Sequence, residues 1–328
     1  MRDTSRLDLT VETLGQSMAM PIGLAPVGLA GMFARRGEIQ AARAAATEGL
    51  PFCLSTVSVC PLDEVAAAAP PPWFQLYMLK DRGYMRALIA QAKALGCPVL
   101  VFTVDLPIPG ARYRDVRSGF TGASAFDSTL TRALDGISHP GWTLDVFLGG
   151  RPHSLGNVAG AMAAGGYGSD YLGWIKANFD RTVTWKDIDW VREAWGGPIV
   201  VKGVLDPEDA REVVRAGAQG VMVSNHGGRQ LDGVRSSIAA LPRVVDAVDG
   251  QAEVYLDGGV RSGLDVLKAV ALGARACFIG RPWAWALGAG GEKAVVRMLQ
   301  TLRAELTVAM VLTGCTDIRQ AGRELLDL

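Results

Sequence analysis

A histidine and an arginine separated by two glycines, His226-Gly227-Gly228-Arg229, are the residues of this chain best suited to chemistry. They leave the end of an apolar run, Gly220-Val221-Met222-Val223, that reads as a buried strand. An imidazole exchanges a proton near neutral pH, and a guanidinium holds a carboxylate through two parallel hydrogen bonds. Glycines between them let the backbone come close to a ligand without side-chain obstruction. A base beside a carboxylate clamp suits reaction at the carbon next to a carboxylate. The stretch Ser224–Gly233 therefore predicts an enzyme acting on a 2-hydroxy acid.

The elements that must position these residues are legible as a repeating pattern. Candidate strands are Pro21–Ala25, Phe52–Ser55, Trp73–Tyr77, Val99–Asp105, Ile199–Gly203, Gly220–Ser224, Val254–Asp257 and Ala276–Gly280. Amphipathic stretches such as Asp81–Leu95, Pro207–Ala216 and Gly263–Leu272 lie between them, and Gly49, Gly96, Gly217 and Gly273 read as C-caps. Asp206-Pro207-Glu208-Asp209 is a helix start, with proline in the first turn and acids facing the dipole. Strand and helix alternating in this way predict an α/β fold, a closed parallel (β/α)8 TIM barrel spanning 1–328 as a single domain. From Leu106 to Thr184 the rhythm stops, and Gly, Pro, Ser and the aromatics Phe120, Phe126, Trp142, Phe147, Tyr167, Tyr171 and Trp174 take over. This insertion after the fourth strand reads equally as a segment packed on the barrel top and as a lid or docking surface.

Bulk properties bound the alternatives. At 328 residues with 49% apolar residues and 40 glycines, the chain can bury a large core with many tight turns. Lysine plus arginine (33) equals aspartate plus glutamate (33), which removes the electrostatic case for nucleic acid. Cys53, Cys60, Cys97, Cys277 and Cys315 form no C-x-x-C pair, so buried thiols in a reduced compartment are expected. No stretch approaches the ~18 uncharged apolar residues of a membrane span, and Met1-Arg2-Asp3-Thr4-Ser5 carry no apolar signal region. No His/Cys/Asp cluster has metal-ligand spacing, so no metal is expected. The absence of G-x-G-x-x-G after a first strand argues against NAD. His139 and His153, beside Pro140 and Pro152, read as surface or lid residues.

Reactive residues of such barrels sit at strand C-terminal ends. Read in order, those ends are Ala25-Pro26-Val27-Gly28, Ser55-Thr56, Gln75-Leu76-Tyr77, Thr103-Val104-Asp105, Lys202, Ser224-Asn225-His226, Asp257-Gly258-Gly259 and Gly280-Arg281. The small residues at the first end leave room for a flat ring. The last two ends, with Arg261 and Arg281 beside exposed backbone N–H groups, point to a phosphate.

The stretch Ser224–Gly233 resembles the signature of the FMN-dependent 2-hydroxy-acid oxidases and dehydrogenases. Supporting motifs are Pro26-Val27-Gly28, Trp73-Phe74-Gln75-Leu76-Tyr77, Thr103-Val104-Asp105, Thr184-Trp185-Lys186-Asp187 and Asp257-Gly258-Gly259-Val260-Arg261. Within the family, Leu54-Ser55-Thr56-Val57-Ser58-Val59-Cys60-Pro61 and Pro109-Gly110-Ala111-Arg112-Tyr113-Arg114-Asp115 are most similar to the bacterial quinone-linked L-lactate dehydrogenases. The resemblance covers nearly the whole chain. It implies FMN as cofactor and oxidation of L-lactate to pyruvate, with electrons passed to a quinone.

Carried over by position, the resemblance implies that His226 is the base and that Arg112 and Arg229 bind the substrate carboxylate. Tyr77 would hydrogen-bond the substrate, and Asp105 would hold His226 in the productive tautomer. Lys202 would face the flavin N1/O2 edge, while Ser55, Gln75 and Thr103 would bind the ring and Pro26, Val27 and Gly28 would pack near it. Ser224, Asp257, Gly258, Gly259, Arg261, Gly280 and Arg281 would complete the cofactor site around the ribityl-phosphate. It also implies a homo-oligomer, a tetramer in many relatives, and peripheral contact with the cytoplasmic face of the bacterial inner membrane, a cytoplasmic location being the alternative. The family pattern begins with a further segment that caps the barrel and supplies a substrate-binding tyrosine, which has no counterpart in this sequence. Two other readings stand: an oxygen-using oxidase of glycolate, mandelate or a longer acid, and an inactive flavin- or ligand-binding barrel.

Overall fold

The computed structural model describes residues 2–113, 117, 134–168 and 170–326; Arg114, Asp115, Phe120 and Phe126 lie outside them. A short antiparallel hairpin comes first, β1 (Val11–Thr13) and β2 (Gln16–Met18). Eight parallel strands follow: β3 (Ile22–Leu24), β4 (Cys53–Ser55), β5 (Trp73–Tyr77), β6 (Leu100–Thr103), β7 (Ile199–Val204), β8 (Gly220–Ser224), β9 (Glu253–Asp257) and β10 (Ala276–Ile279). They neighbour one another in chain order from β4 to β10, and β10 pairs with β3. A parallel bridge between Leu24 and Phe52, with Leu24 N donating to Pro51 O at 2.9 Å, joins β3 to the approach of β4. The ring is thereby closed into the expected (β/α)8 barrel.

Each expected strand is present to within a residue or two, because these apolar runs are buried on both faces. The helices start where their caps predict. Asp81 accepts from Tyr84 N ahead of Arg82–Ala94, and Asp206 accepts from Glu208 N ahead of Pro207–Arg215. Ser262 and Asp265 form a reciprocal capping box on Gly263–Ala271. One correction concerns the helix ends. The caps are Glu48, Leu95, Ala216 and Leu272, and Gly49, Gly96, Gly217 and Gly273 follow one residue later at positive φ. The chain reverses after the last helical residue, and glycine adopts that backbone without a Cβ clash.

The hairpin is a feature the sequence pattern does not announce. It lies across the N-terminal ends of the barrel strands, with Val11 and Met18 buried. Thr13 Oγ1 meets Tyr255 Oη at 2.6 Å and donates to Glu253 Oε2 at 2.7 Å, while Tyr255 Oη donates to the same oxygen at 2.7 Å. Above it, Trp73, Tyr255 and Phe278 fill the lower barrel, with ring centroids 5.0–5.9 Å apart. Gly23 and Gly220 make room for them: a Cβ on Gly23 would stand 2.6 Å from Phe278, and one on Gly220 would stand 2.9 Å from Tyr255.

Between β6 and β7 the chain makes its long excursion. Leu155, Val158, Met162, Trp174 and Phe179 are buried against the barrel, each such side chain contributing about 1.5–3 kcal/mol. Asn157 fastens this part from within. Its Nδ2 donates to Ser55 O at 3.1 Å and Ser58 Oγ at 2.9 Å, and its Oδ1 accepts from Leu62 N at 2.7 Å. Ile137, Leu144, Phe147 and Leu148, earlier in the excursion, are exposed.

Candidate active site

Polar side chains that would be costly inside a barrel are gathered at the C-terminal ends of its strands. Register places Tyr77 beside Thr103 and Thr103 beside Lys202, and pairs Ser224 with Asp257. Lys202 reaches this level on a strand of valines, just before a register shift at Gly203. Gly203 has φ +107, and a Cβ there would come within 2.6 Å of Asp105. Glycine is therefore what lets the ends of β6 and β7 lie together.

At the centre, Lys202 Nζ stands 3.0 Å from both Ser224 Oγ and Asp257 Oδ2. Ser224 Oγ donates to Asp257 Oδ2 at 2.6 Å and accepts from His226 N at 3.0 Å. Burial works against the Lys202 ammonium, but Asp257 and Asp105 outweigh it and hold its pKa above the ordinary lysine value. It is a fixed cation. Burial likewise pushes Asp105 up, and Lys202 together with the hydrogen bond from His226 brings it below the usual carboxylate range.

His226 Nδ1 faces Asp105 Oδ1 at 2.9 Å. The tautomer that satisfies this contact carries its proton on Nδ1 and leaves Nε2 as the acceptor. The histidine itself has φ +55, a left-handed backbone uncommon outside glycine. Tyr77 is buried against Phe179, with ring centroids 4.9 Å apart, and burial pushes its phenol well up, so it is a neutral donor.

Three of the buried polar atoms with no partner among the described residues stand on β5, on β6 and just past β6: Gln75 Nε2, Thr103 Oγ1 and Asp105 Oδ2. Gln75 is otherwise engaged, its Oε1 accepting from Ser55 Oγ at 3.1 Å and Thr56 N at 3.3 Å. Unpaired buried polar atoms are costly, and these two donors and one acceptor lie at the barrel mouth. Pro26, Val27 and Gly28 follow β3 beside them, and a Cβ on Gly28 would lie 2.8 Å from Val57.

On the β9–β10 side the arrangement suits an anion. Gly258 and Gly259 have φ +102 and +87, and a Cβ on Gly259 would meet no described atom within 4 Å. Gly280 caps the helix that starts at Arg281, whose guanidinium donates to Gly227 O. Burial, then the positive charges of Arg261 and Arg229, push Arg281 below the ordinary arginine value. An anion set beside Arg281 would offset the positive charge that Arg261 and Arg229 bring to it.

Arg112 donates from Nε to Arg229 O at 3.5 Å and from Nη2 to Gln230 Oε1 at 3.4 Å, so the two expected carboxylate binders share one rim. His139 and His153 lie apart, in the excursion, where His153 Nε2 meets Phe147 O at 2.9 Å. Sequence reasoning passed over Gln230, though it stands inside the signature; its amide contacts depend on how a distant loop folds.

Residues 1–328 match the sequence profile of the family described as FMN-dependent dehydrogenase. The chain belongs to this family. A curated relative named L-lactate dehydrogenase, from Xanthomonas campestris pv. campestris (strain B100), is 54% identical over 327 residues, covering 99% of this chain and 84% of the relative. Another of that name, from Ectopseudomonas mendocina (strain ymp), is 53% identical and is covered to 86%. Among solved structures, mandelate oxidase with (S)-4-hydroxymandelic acid superposes with a TM-score of 0.83 at 39% identity, over 98% of this chain and 84% of the other. A mandelate oxidase variant with a monooxide FMN adduct aligns with a TM-score of 0.77 at 36% identity. The chain is thus an oxidoreductase of the FMN-dependent 2-hydroxy-acid-oxidising type, and FMN is its cofactor. Among the described residues no helix is long and apolar enough to cross a membrane.

Proposed function

We propose that this enzyme oxidises L-lactate to pyruvate, with His226 taking the hydroxyl proton and electrons leaving through FMN to a quinone. The observation that carries the chemical part is the His226–Asp105 pair at 2.9 Å, beside the buried Lys202 cation. Support for lactate comes from relatives of that name at 53–54% identity.

The cofactor fits the residues present. Gln75 Nε2 and Thr103 Oγ1 are buried donors in need of acceptors, as a flavin ring provides. The open glycine turn at Gly258–Gly259 and the Arg261–Arg281 cluster would take the phosphate. When bound, FMN supplies a two-electron acceptor. Pro26–Gly28 and Ser55 would border the ring, and Ser224 and Asp257 would hold Lys202 in place beside it.

The remaining groups act on the substrate. Arg112 and Arg229 would fix its carboxylate bidentately. Tyr77, kept neutral by burial, would donate to a substrate oxygen. His226 Nε2 would receive the hydroxyl proton, and ionised Asp105 would hold the ring and stabilise the imidazolium. The described residues 134–168 of the excursion would be the docking surface, the exposed Ile137, Leu144, Phe147 and Leu148 favouring peripheral contact with the cytoplasmic face of the membrane. A homo-oligomer is part of the same reading.

Mixing the FMN-loaded enzyme anaerobically with L-lactate, D-lactate and mandelate, and following oxidised-flavin absorbance, tests it. Rapid bleaching by L-lactate alone is expected. Preferential bleaching by mandelate would favour the second reading, an oxygen-using oxidase of larger acids, which the mandelate oxidase superposition supports. A flavin that binds and never bleaches would point to a non-catalytic barrel.

A further inference from the structure

We infer that Gln230 is a positioning residue that sets the substrate-carboxylate loop against the base. Its side-chain amide spans the gap between the chain after β8 and the chain after β6. Nε2 donates to Asp105 O and to Ile108 O, both at 3.0 Å. Oε1 accepts from Gly110 N at 3.2 Å and from Arg112 Nη2 at 3.4 Å. One planar amide thus touches the backbone of the residue that orients His226 and the guanidinium expected to hold the carboxylate. Each amide atom serves two partners, which suits glutamine: both Nε2 protons and both Oε1 lone pairs are used.

Backbone packing reinforces the tie. A Cβ on Gly110 would stand 2.5 Å from Arg229 O and 2.6 Å from Gln230 O. The loop rests directly on the carbonyls of the signature, with no room for a side chain. Gln230 and Gly110 therefore hold Arg112 and the Asp105–His226 pair at a fixed separation. The carboxylate of a substrate and its reacting hydroxyl are equally fixed in separation, so this distance governs whether one molecule can reach both groups. The role of Gln230 in binding rests on the reading of Arg112 given above; the tie itself does not.

Hydrogen exchange on the FMN-loaded wild type, Gln230→Ala and Gly110→Ala measures the tie directly. Faster exchange is expected in peptides spanning 106–113 for both variants, with those spanning 73–77 unchanged. In steady state, KM for L-lactate should rise about tenfold while kcat falls less than threefold, as expected when binding geometry loosens and the base remains. Gln230→Glu keeps an acceptor for Gly110 and Arg112 but turns a carboxylate toward two carbonyls, so its KM should lie between wild type and Gln230→Ala. Unchanged exchange over 106–113 in both alanine variants would overturn the inference. Faster exchange with KM unaltered would keep the tie and sink the carboxylate role of Arg112 instead. Loss of kcat with KM unaltered would assign Gln230 to the chemistry and also overturn a positioning role.

Discussion

The two ends of the barrel handle polar groups in opposite ways. At the N-terminal end, Thr13, Glu253 and Tyr255 form a compact triangle in which both hydroxyls donate to the carboxylate, and aromatic rings fill the space above it. The unpaired buried atom there, Gln16 Nε2, belongs to the hairpin and not to a barrel strand. At the C-terminal end the strands themselves carry Gln75 Nε2 and Thr103 Oγ1 without partners, a buried lysine between carboxylates, and a histidine at positive φ. Unmet bonding capacity and backbone strain both work against stability. Their concentration at one end separates the half that holds the fold from the half that performs chemistry.

The largest test of that division is His226→Ala. Removing the base should lower the rate of flavin reduction about 10³-fold while leaving FMN binding and the packing around Trp73 intact. Rapid-mixing absorbance and near-UV circular dichroism report the two separately, and a lost near-UV signal would blur the division.

Lys202→Met probes a residue that belongs to both halves. It leaves Asp257 and Asp105 without their buried cation, and a cost of about 3–5 kcal/mol in denaturant unfolding is expected. The folded-state pKa of Lys202 lies above its ordinary 10.5. Its stabilisation is therefore complete below 10.5 and is lost only as pH rises through the folded value. The gap between wild type and variant should accordingly be flat from about pH 6 to 9.

At the other end, Tyr255→Phe removes one corner of the triangle. Unfolding should become easier by about 1 kcal/mol, with kcat unchanged. A drop in kcat would mean that the ends communicate.

The smallest effect sharpens the contrast most. Thr103→Val replaces an unpaired buried hydroxyl with a methyl of similar shape. The apoprotein should gain about 1 kcal/mol, and FMN affinity should fall roughly fivefold. Thermal melts with and without added FMN separate the two outcomes; stability lost without FMN would show that the hydroxyl is already satisfied.

How far the sequence reveals these two ends differs for physical reasons. Barrel strands are apolar on both faces, so Trp73–Tyr77 and Gly220–Ser224 stand out as continuous runs, and a lysine ending such a run is conspicuous. The hairpin does not stand out. Gln16, a polar residue at an inward position, interrupts its alternation, and its turn uses Leu14 at φ +45 with Gly15, where an Asn-Gly pair would be the usual signal. In the site, His226, Lys202 and Asp105 are visible as residue types out of place. Gln230 is visible only as a letter in the signature, since its contacts with Ile108 and Gly110 cross a long stretch of chain. The excursion between β6 and β7 reads as irregular because its anchors, Asn157 and Trp174, are single residues with no period.

The left-handed backbone at His226 separates two things a mutational scan usually merges. A side chain there costs about 1 kcal/mol that glycine avoids. Scored by folded yield, glycine at this position should rank above alanine. Scored by flavin reduction, both should fall to the floor. The distance between the two rankings measures what the backbone gives up to present an imidazole at that point.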